Sequence, residues 1–317
     1  MMLLDVKNLK TYFYSKRGVL RAVDNVSIGV DRREFISIVG ESGCGKSTLA
    51  YSIIRLVDTP GKIVDGKIVF DGRDLVKLSE EEMRRLRGKE IGMVFQDPMT
   101  SLDPLEKIGD QIVETIIEHE RVDKKEAWEK ASILLEKVGL PGDRVNYYPH
   151  QLSGGQRQRV MIALAVSLNP KLLIADEPTT ALDVIVQEKI MDLLEDMKKE
   201  DRAIILITHD FALAADRSDK IAVMYAGWLI EFGKANKLAN EPLHPYSEGL
   251  IGSVPDVWED RDIKPMLGFL PDLIDPPKGC RFKPRCPKAM DVCDKEPPTF
   301  SVDGRVVKCW LYGENNG

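Results

Sequence analysis

The segment Gly40-Glu41-Ser42-Gly43-Cys44-Gly45-Lys46-Ser47-Thr48 lies between an apolar run, Glu34–Val39, and a helical pattern that opens at Ser47. It fits G-x-x-x-x-G-K-[ST] in the strand-to-helix setting that gives the pattern its meaning. The glycines let the backbone curl so that amide N–H groups point inward, and the helix that follows adds the positive end of its dipole. A polyphosphate is the anion such a cradle suits. Lys46 would reach the outer phosphates, and the Ser47 hydroxyl would take a place on Mg²⁺. A glycine-rich turn that only capped a helix would leave Lys46 unexplained. Cys44 reads as a small loop residue, not a ligand.

Two further segments carry chemistry. Lys171–Ala175 is an apolar strand pattern that runs into Asp176 and Glu177. Alone, such a pair is as often a solvated strand end. After a phosphate loop it supplies two roles: Asp176 holds Mg²⁺ through its water shell, and Glu177 polarises or deprotonates an attacking water. Leu152-Ser153-Gly154-Gly155-Gln156 begins a helix, with Ser153 as N-cap and two glycines that bare backbone donors, which makes a second anion site.

The elements around these segments alternate. Strand patterns at Glu34–Val39, Lys67–Phe70, Glu90–Phe95, Lys171–Ala175 and Ala203–Thr208 are interleaved with helical patterns at Ser47–Asp58, Asp110–His119, Lys124–Val138, Gly154–Asn169 and Val184–Lys199. Strands apolar on both faces with helices between them predict an α/β layered domain with a largely parallel core sheet. At 317 residues the chain has room for one large domain and a smaller appendage. Its longest strictly apolar run is Val160–Val166, far short of the ~20 residues of a spanning helix. The first residues lack the layout of an export signal, so a cytoplasmic location is expected. A formal charge of −6 gives no global positive field to draw in nucleic acid.

At Leu152–Gln156 the sequence resembles the ATP-binding cassette (ABC) superfamily, whose LSGGQ signature stands there without a departure. The resemblance covers about residues 3–235. It implies an ABC-type P-loop ATPase: an α/β fold with a RecA-like core sheet, an antiparallel β subdomain and a helical signature subdomain at about 97–168. It implies that Ser153, Gly154, Gly155 and Gln156 of one subunit cap the γ-phosphate of ATP held by the phosphate loop of a facing subunit. Gln96 matches the glutamine that senses Mg²⁺ or the attacking water, and His209 matches the switch histidine that contacts the γ-phosphate. Thr180–Asp183 resembles the loop that crosses the dimer interface, with Asp183 in it. An aromatic residue before the phosphate loop stacks on adenine in this family. Phe13 is favoured, with Tyr12 and Tyr14 as alternatives.

The segment Gln96–Pro104, with Leu243–Ser247 and a cysteine-bearing tail, resembles the ATPases of oligopeptide/dipeptide importers. That implies a second ATPase subunit, two transmembrane permease subunits docked near Gln96–Pro104, an extracytoplasmic substrate-binding protein, and a peripheral position on the inner face of the membrane. Some members of the branch carry oligosaccharides or nickel instead. Eleven of the eighteen prolines follow Glu241, which predicts a loop-rich extension over 236–317. There Cys280-x₅-Cys286-x₆-Cys293-x₁₅-Cys309 offers four thiolates, enough for a tetrahedral zinc ion or a [4Fe–4S] cluster. The spacings are wider than those of common zinc knuckles, and the resemblance favours the cluster, in a structural role. Lys278, Arg281, Lys283, Arg285 and Lys288 would stabilise thiolates. Two other readings are weaker. A repair-type ATPase would need a coiled-coil insertion between Lys46 and Ser153, and a metal-sensing regulator would need a DNA-reading helix.

Overall fold

The computed structural model describes residues 2–97, 101–180, 182–199, 201–253 and 266–313. Its contacts divide the chain into two compact units, one of residues 1–30, 35–76 and 207–317, the other of residues 31–34 and 77–206.

The first unit holds the phosphate loop and the cysteine tail. Its outer sheet has the order β2 (Gly18–Asp31), β1 (Met2–Ser15), β4 (Gly61–Phe70), β5 (Arg73–Asp74). β1 and β4 are antiparallel, with Phe13 opposite Gly61. β3 (Phe35–Val39) is buried at every position, as a strand covered on both faces requires. It pairs in parallel with β9 (Lys220–Tyr225), Val39 standing opposite Val223. Helix α1 (Lys46–Ile53) follows the loop. It ends earlier than the apolar spacing predicts, because Arg55 turns left-handed at φ 54° and its guanidinium donates to the Leu75 carbonyl at 3.0 Å.

The tail is more regular than its prolines predict. β9 pairs antiparallel with β10 (Trp228–Lys234), β10 with β12 (Arg305–Val307), and β12 with β11 (Phe300–Val302), so the chain's end extends the sheet. Pro245 opens the helix Pro245–Gly252, where its missing N–H costs nothing. Pro255 and Pro265 lie outside the described residues. Tyr225, Trp228, Tyr246, Cys280, Phe282 and Cys293 belong to one buried cluster with Val39, the residue just before the phosphate loop. Burying each large side chain there contributes roughly 1.5–3 kcal/mol.

The second unit contains the parallel pair β6 (Ile91–Val94) and β7 (Leu172–Asp176), with Val94 opposite Ala175. β8 (Ala203–Thr208) lies next to β7 and runs on into the first unit. Its helices include Ile108–His119, Lys124–Lys137, Gly154–Val166 and Val184–Lys199. The first buries Ile108, Ile112, Val113 and Ile116 along one stripe. No helix among the described residues is long and apolar enough to cross a membrane.

One histidine makes the first unit acid-sensitive. His244 is 2% exposed, and its Nδ1 accepts the Tyr246 N–H at 3.0 Å to cap the helix Pro245–Gly252. Burial lowers its pKa from 6.5 to about 3. The unfolded chain therefore binds a proton at His244 below about pH 6.5 while the folded chain does not, and stability falls as pH drops toward 3. Burial raises the pKa of the neighbouring Glu231 carboxyl, which acts in the opposite direction. A His244→Asn variant keeps an N-cap acceptor without the titration. The difference between its urea-unfolding free energy and the parent's should grow by about 2 kcal/mol between pH 7 and pH 5.

Candidate nucleotide site

The phosphate loop is forced into its curl by what surrounds it. A Cβ at Gly40 would stand 2.2 Å from the Met224 carbonyl oxygen, and one at Gly45 would stand 2.0 Å from that of Ala22. Gly40, Gly43 and Gly45 have φ of 153°, 80° and 110°, backbone that residues with a Cβ avoid. Gly43, in contrast, would meet nothing within 4 Å, so one face of the loop is open. The Gly227 N–H donates to the Cys44 carbonyl at 2.8 Å. Cys44 is fully buried and its thiol is pushed up to about 11 by that burial, so it is a packing residue. Lys46 is 4% exposed, and its Nζ donates to the carbonyls of Gly40 and Glu41 at 2.8 and 3.0 Å. Ser42 and Gly43 are exposed, while Ser47 and Thr48 are half-buried at the start of α1. A buried cation folded over an open glycine loop is a fit for phosphate.

In the second unit, Asp176 ends β7 fully buried. Glu177 follows at φ 45°, a strained backbone for a residue with a side chain. Its Oε2 accepts from Gln96 Nε2 and from the Thr180 hydroxyl, both at 3.1 Å. The glutamine and the glutamate expected to handle water thus meet directly. Ser153 caps the helix Gly154–Val166 reciprocally. Its hydroxyl accepts from the Gln156 N–H at 3.4 Å, and Gln156 Oε1 accepts from the Ser153 N–H at 2.9 Å. Gly154 faces open space, whereas Gly155 lies against Val186. Asp183 caps the helix Val184–Lys199 by accepting the Val186 N–H at 2.9 Å. Pro98, Met99 and Thr100 of the expected docking segment, and Ala181 beside Asp183, lie outside the described residues.

In the first unit, His209 stands exposed between β8 and the helix Phe211–Arg217. The aromatic trio divides. The Tyr12 hydroxyl donates to Asp24 Oδ1 at 2.7 Å, Phe13 lies against Gly61, and Tyr14 is exposed.

The tail departs from expectation in two ways. Among the described residues no three His, Cys, Asp or Glu side chains form a group that could hold a metal ion, so the expected four-cysteine site for a cluster or zinc is not assembled. Burial raises the thiol pKa of Cys280, Cys286 and Cys309, the last to about 11. All four nevertheless share one electrostatic neighbourhood, since Cys280, Cys286 and Cys293 each push the Cys309 thiol further up. None of the four is in a disulfide. The cations are also drawn to acids, though Lys288 still favours the Cys286 thiolate as expected, against the larger effect of burial. Lys283 and Lys288 pair with Asp294 and Glu248, each at 2.6 Å. Arg281 stacks over Trp228 at 4.2 Å and pairs with Asp24, and Arg285 pairs with Glu41 in the phosphate loop. Tyr246 and Arg285, both tail residues that touch the loop, carry no local sequence signal of that role.

Comparison with known proteins agrees with this geometry. A family model described as ABC transporter matches residues 23–180, and one described as the oligopeptide/dipeptide transporter C-terminal region matches residues 230–293. The chain is 47% identical to the oligopeptide transport ATP-binding protein AppD of Bacillus subtilis, over 98% of this chain and 97% of that protein. It is 46% identical to the dipeptide transport ATP-binding protein DppD of Escherichia coli, over 98% and 96%. The dimeric ATP-binding cassette MJ0796, solved after hydrolysis with ADP and Pi, superposes with a TM-score of 0.68 at 31% identity, over 74% of this chain and 99% of that one. The chain is therefore an ABC ATPase, a class in which ATP hydrolysis drives transport. Within that class it belongs to the family of oligopeptide/dipeptide transport ATP-binding proteins, which it matches through both cassette and tail.

The loop glycines differ in what a side chain would cost. Gly43→Ala adds only left-handed strain, about 1–2 kcal/mol. Gly45→Ala adds a clash with a backbone carbonyl to the same strain, and should cost about 3 kcal/mol or more. Urea-unfolding midpoints of the two variants check the order.

Proposed function

We propose that this protein is the ATP-hydrolysing subunit of an importer for di- and oligopeptides, pairing with a second cassette and docking on two permease subunits at the inner face of the membrane. The observation that carries this reading is the 46–47% identity with peptide-transport ATPases over 98% of the chain, cassette and tail together. A substrate-binding protein outside the membrane would deliver the peptide, and nucleic acid has no part.

The site residues take these roles in the proposal. Lys46 and the amides of Gly40–Thr48, with Glu41, Ser42 and Cys44 as loop backbone, receive the phosphates, and Phe13 stacks on adenine. Mg²⁺, held by Ser47, Asp176 and Gln96, would neutralise charge between the phosphates. Glu177 orients or deprotonates the attacking water, and its bond from Gln96 holds the carboxylate in place for that task. His209 contacts the γ-phosphate. Ser153, Gly154, Gly155, Gln156 and Asp183 act on ATP across the dimer interface. The reciprocal cap supports this, since it holds a helix N-terminus rigid with an open glycine beside it.

For the tail, we propose a [4Fe–4S] cluster on Cys280, Cys286, Cys293 and Cys309. A cubane takes one thiolate at each of four irons, so its ligands stand further apart than those of a single ion. Four cysteines, none in a disulfide and with Cys280, Cys286 and Cys293 all acting on Cys309, would supply them.

Two measurements follow. Glu177→Gln should keep ATP binding, lower hydrolysis by about 10²–10⁴ and accumulate an ATP-bound dimer. Lys46→Ala should weaken binding itself, and hydrolysis by Glu177→Gln at the parent rate would remove Glu177 from its role. Protein purified without oxygen should contain iron and sulfide in equal amounts, and zinc alone would overturn the cluster.

A further inference from the structure

Glu41, the second residue of the phosphate loop, is held mainly from the tail. Arg285 Nη1 and Nη2 donate to its Oε2 and Oε1 at 2.9 and 2.8 Å, a fork on a carboxylate. The arginine side chain is 5% exposed and the glutamate's 30%, so salt and water reach the pair only from the glutamate's side. The Glu41 amide donates to the Tyr246 hydroxyl at 3.0 Å. Both tail groups are themselves fixed. Tyr246 is fully buried, its ring tilted on Tyr225 at 4.6 Å and edge-on to Phe282 at 5.4 Å. Arg285 ends the turn Lys283–Arg285, and its Nε donates to the Leu267 carbonyl at 3.0 Å, so the fork is aimed before it meets Glu41. Cys286 is the next residue, so the segment that carries the cysteines also sets the fork.

We propose that Tyr246 and Arg285 are positioning residues for ATP: they brace the phosphate loop in its curled form and neutralise the Glu41 charge in the loop that receives the phosphates. This rests on reading residues 40–48 as the ATP cradle. A loop held in place before binding need not be ordered by the ligand, and its affinity is higher for that reason. An unpaired carboxylate in the same loop would repel a polyanion. The tail thereby takes part in nucleotide binding, beyond the structural role its cysteines suggest.

The test measures MgATP affinity of the full-length protein by calorimetry, alongside its melting temperature. Arg285→Met should raise Kd about tenfold, and Tyr246→Phe, which keeps the ring but loses the acceptor, about threefold. Removing one partner of a partly buried ion pair strands the other, so Glu41→Gln/Arg285→Met is the control for folding. Its Kd should equal that of Glu41→Gln alone, because the two residues act as one unit. A Kd within twofold of the parent in Arg285→Met and Tyr246→Phe, even with a lowered melting temperature, would make the contacts merely structural and overturn the proposal. So would single-variant effects that multiply in the double variant. Lys46→Ala, measured in parallel, separates the two readings: if it binds MgATP as the parent does, the cradle reading itself fails and takes the brace with it.

Discussion

The curl of residues 40–45 exists only because two backbone carbonyls, those of Met224 and Ala22, meet glycine hydrogens where any other residue would place carbon. A loop of amides pointing inward needs backbone that side chains resist, and it needs walls to keep it there. The walls are the end of β9, far from the loop in sequence, and β2, which precedes it closely, each paired into its own sheet. Because the loop is short, its shape passes directly to the start of α1 and to Lys46, whose buried ammonium is satisfied by the loop's own carbonyls. Phosphate oxygens are natural replacements for those carbonyls as acceptors.

The tail solves a second electrostatic problem. Its basic residues would crowd one another if they merely surrounded the cysteines. Instead five of them are matched to acids: Arg281 to Asp24, Arg285 to Glu41, Lys283 to Asp294, Lys288 to Glu248, Lys308 to Glu296. Two of these acids lie in the cassette, so the extension is tied by charge as well as by the buried ring cluster of Tyr225, Tyr246 and Phe282. Arg281 adds a stacked face over Trp228, and Lys308 lies over the same ring at 4.4 Å. An exposed pair is worth little, but a pair as enclosed as that of Arg281 fixes one geometry because any other leaves a buried charge.

In the second unit, strain and capping do comparable work over shorter distances. Glu177 is held left-handed just past the last residue of a buried strand, with two donors converging on one carboxylate oxygen. Ser153 and Gln156 satisfy each other at a helix start and leave Gly154, one of the two glycines between them, bare. Both arrangements place backbone or carboxylate oxygen where packing alone would not.

The phosphate loop, the signature helix start, the buried strands and the paired carboxylates were legible in the sequence. Each depends on residues within a turn or two of one another, so spacing and residue type carry the geometry: glycine where φ is positive, serine and glutamine three apart for a reciprocal cap, apolar runs for strands covered on both faces. Tertiary structure alone decided which acid each tail cation meets, how near the four thiols approach, where α1 stops, and that β11 and β12 extend the sheet. The partners of Arg285 and Arg281 are 244 and 257 residues away. No period or local pattern encodes a separation of that size. It is set by where the chain returns, and the charges pair only once the packing of Tyr246, Phe282 and Trp228 has brought the tail to the loop.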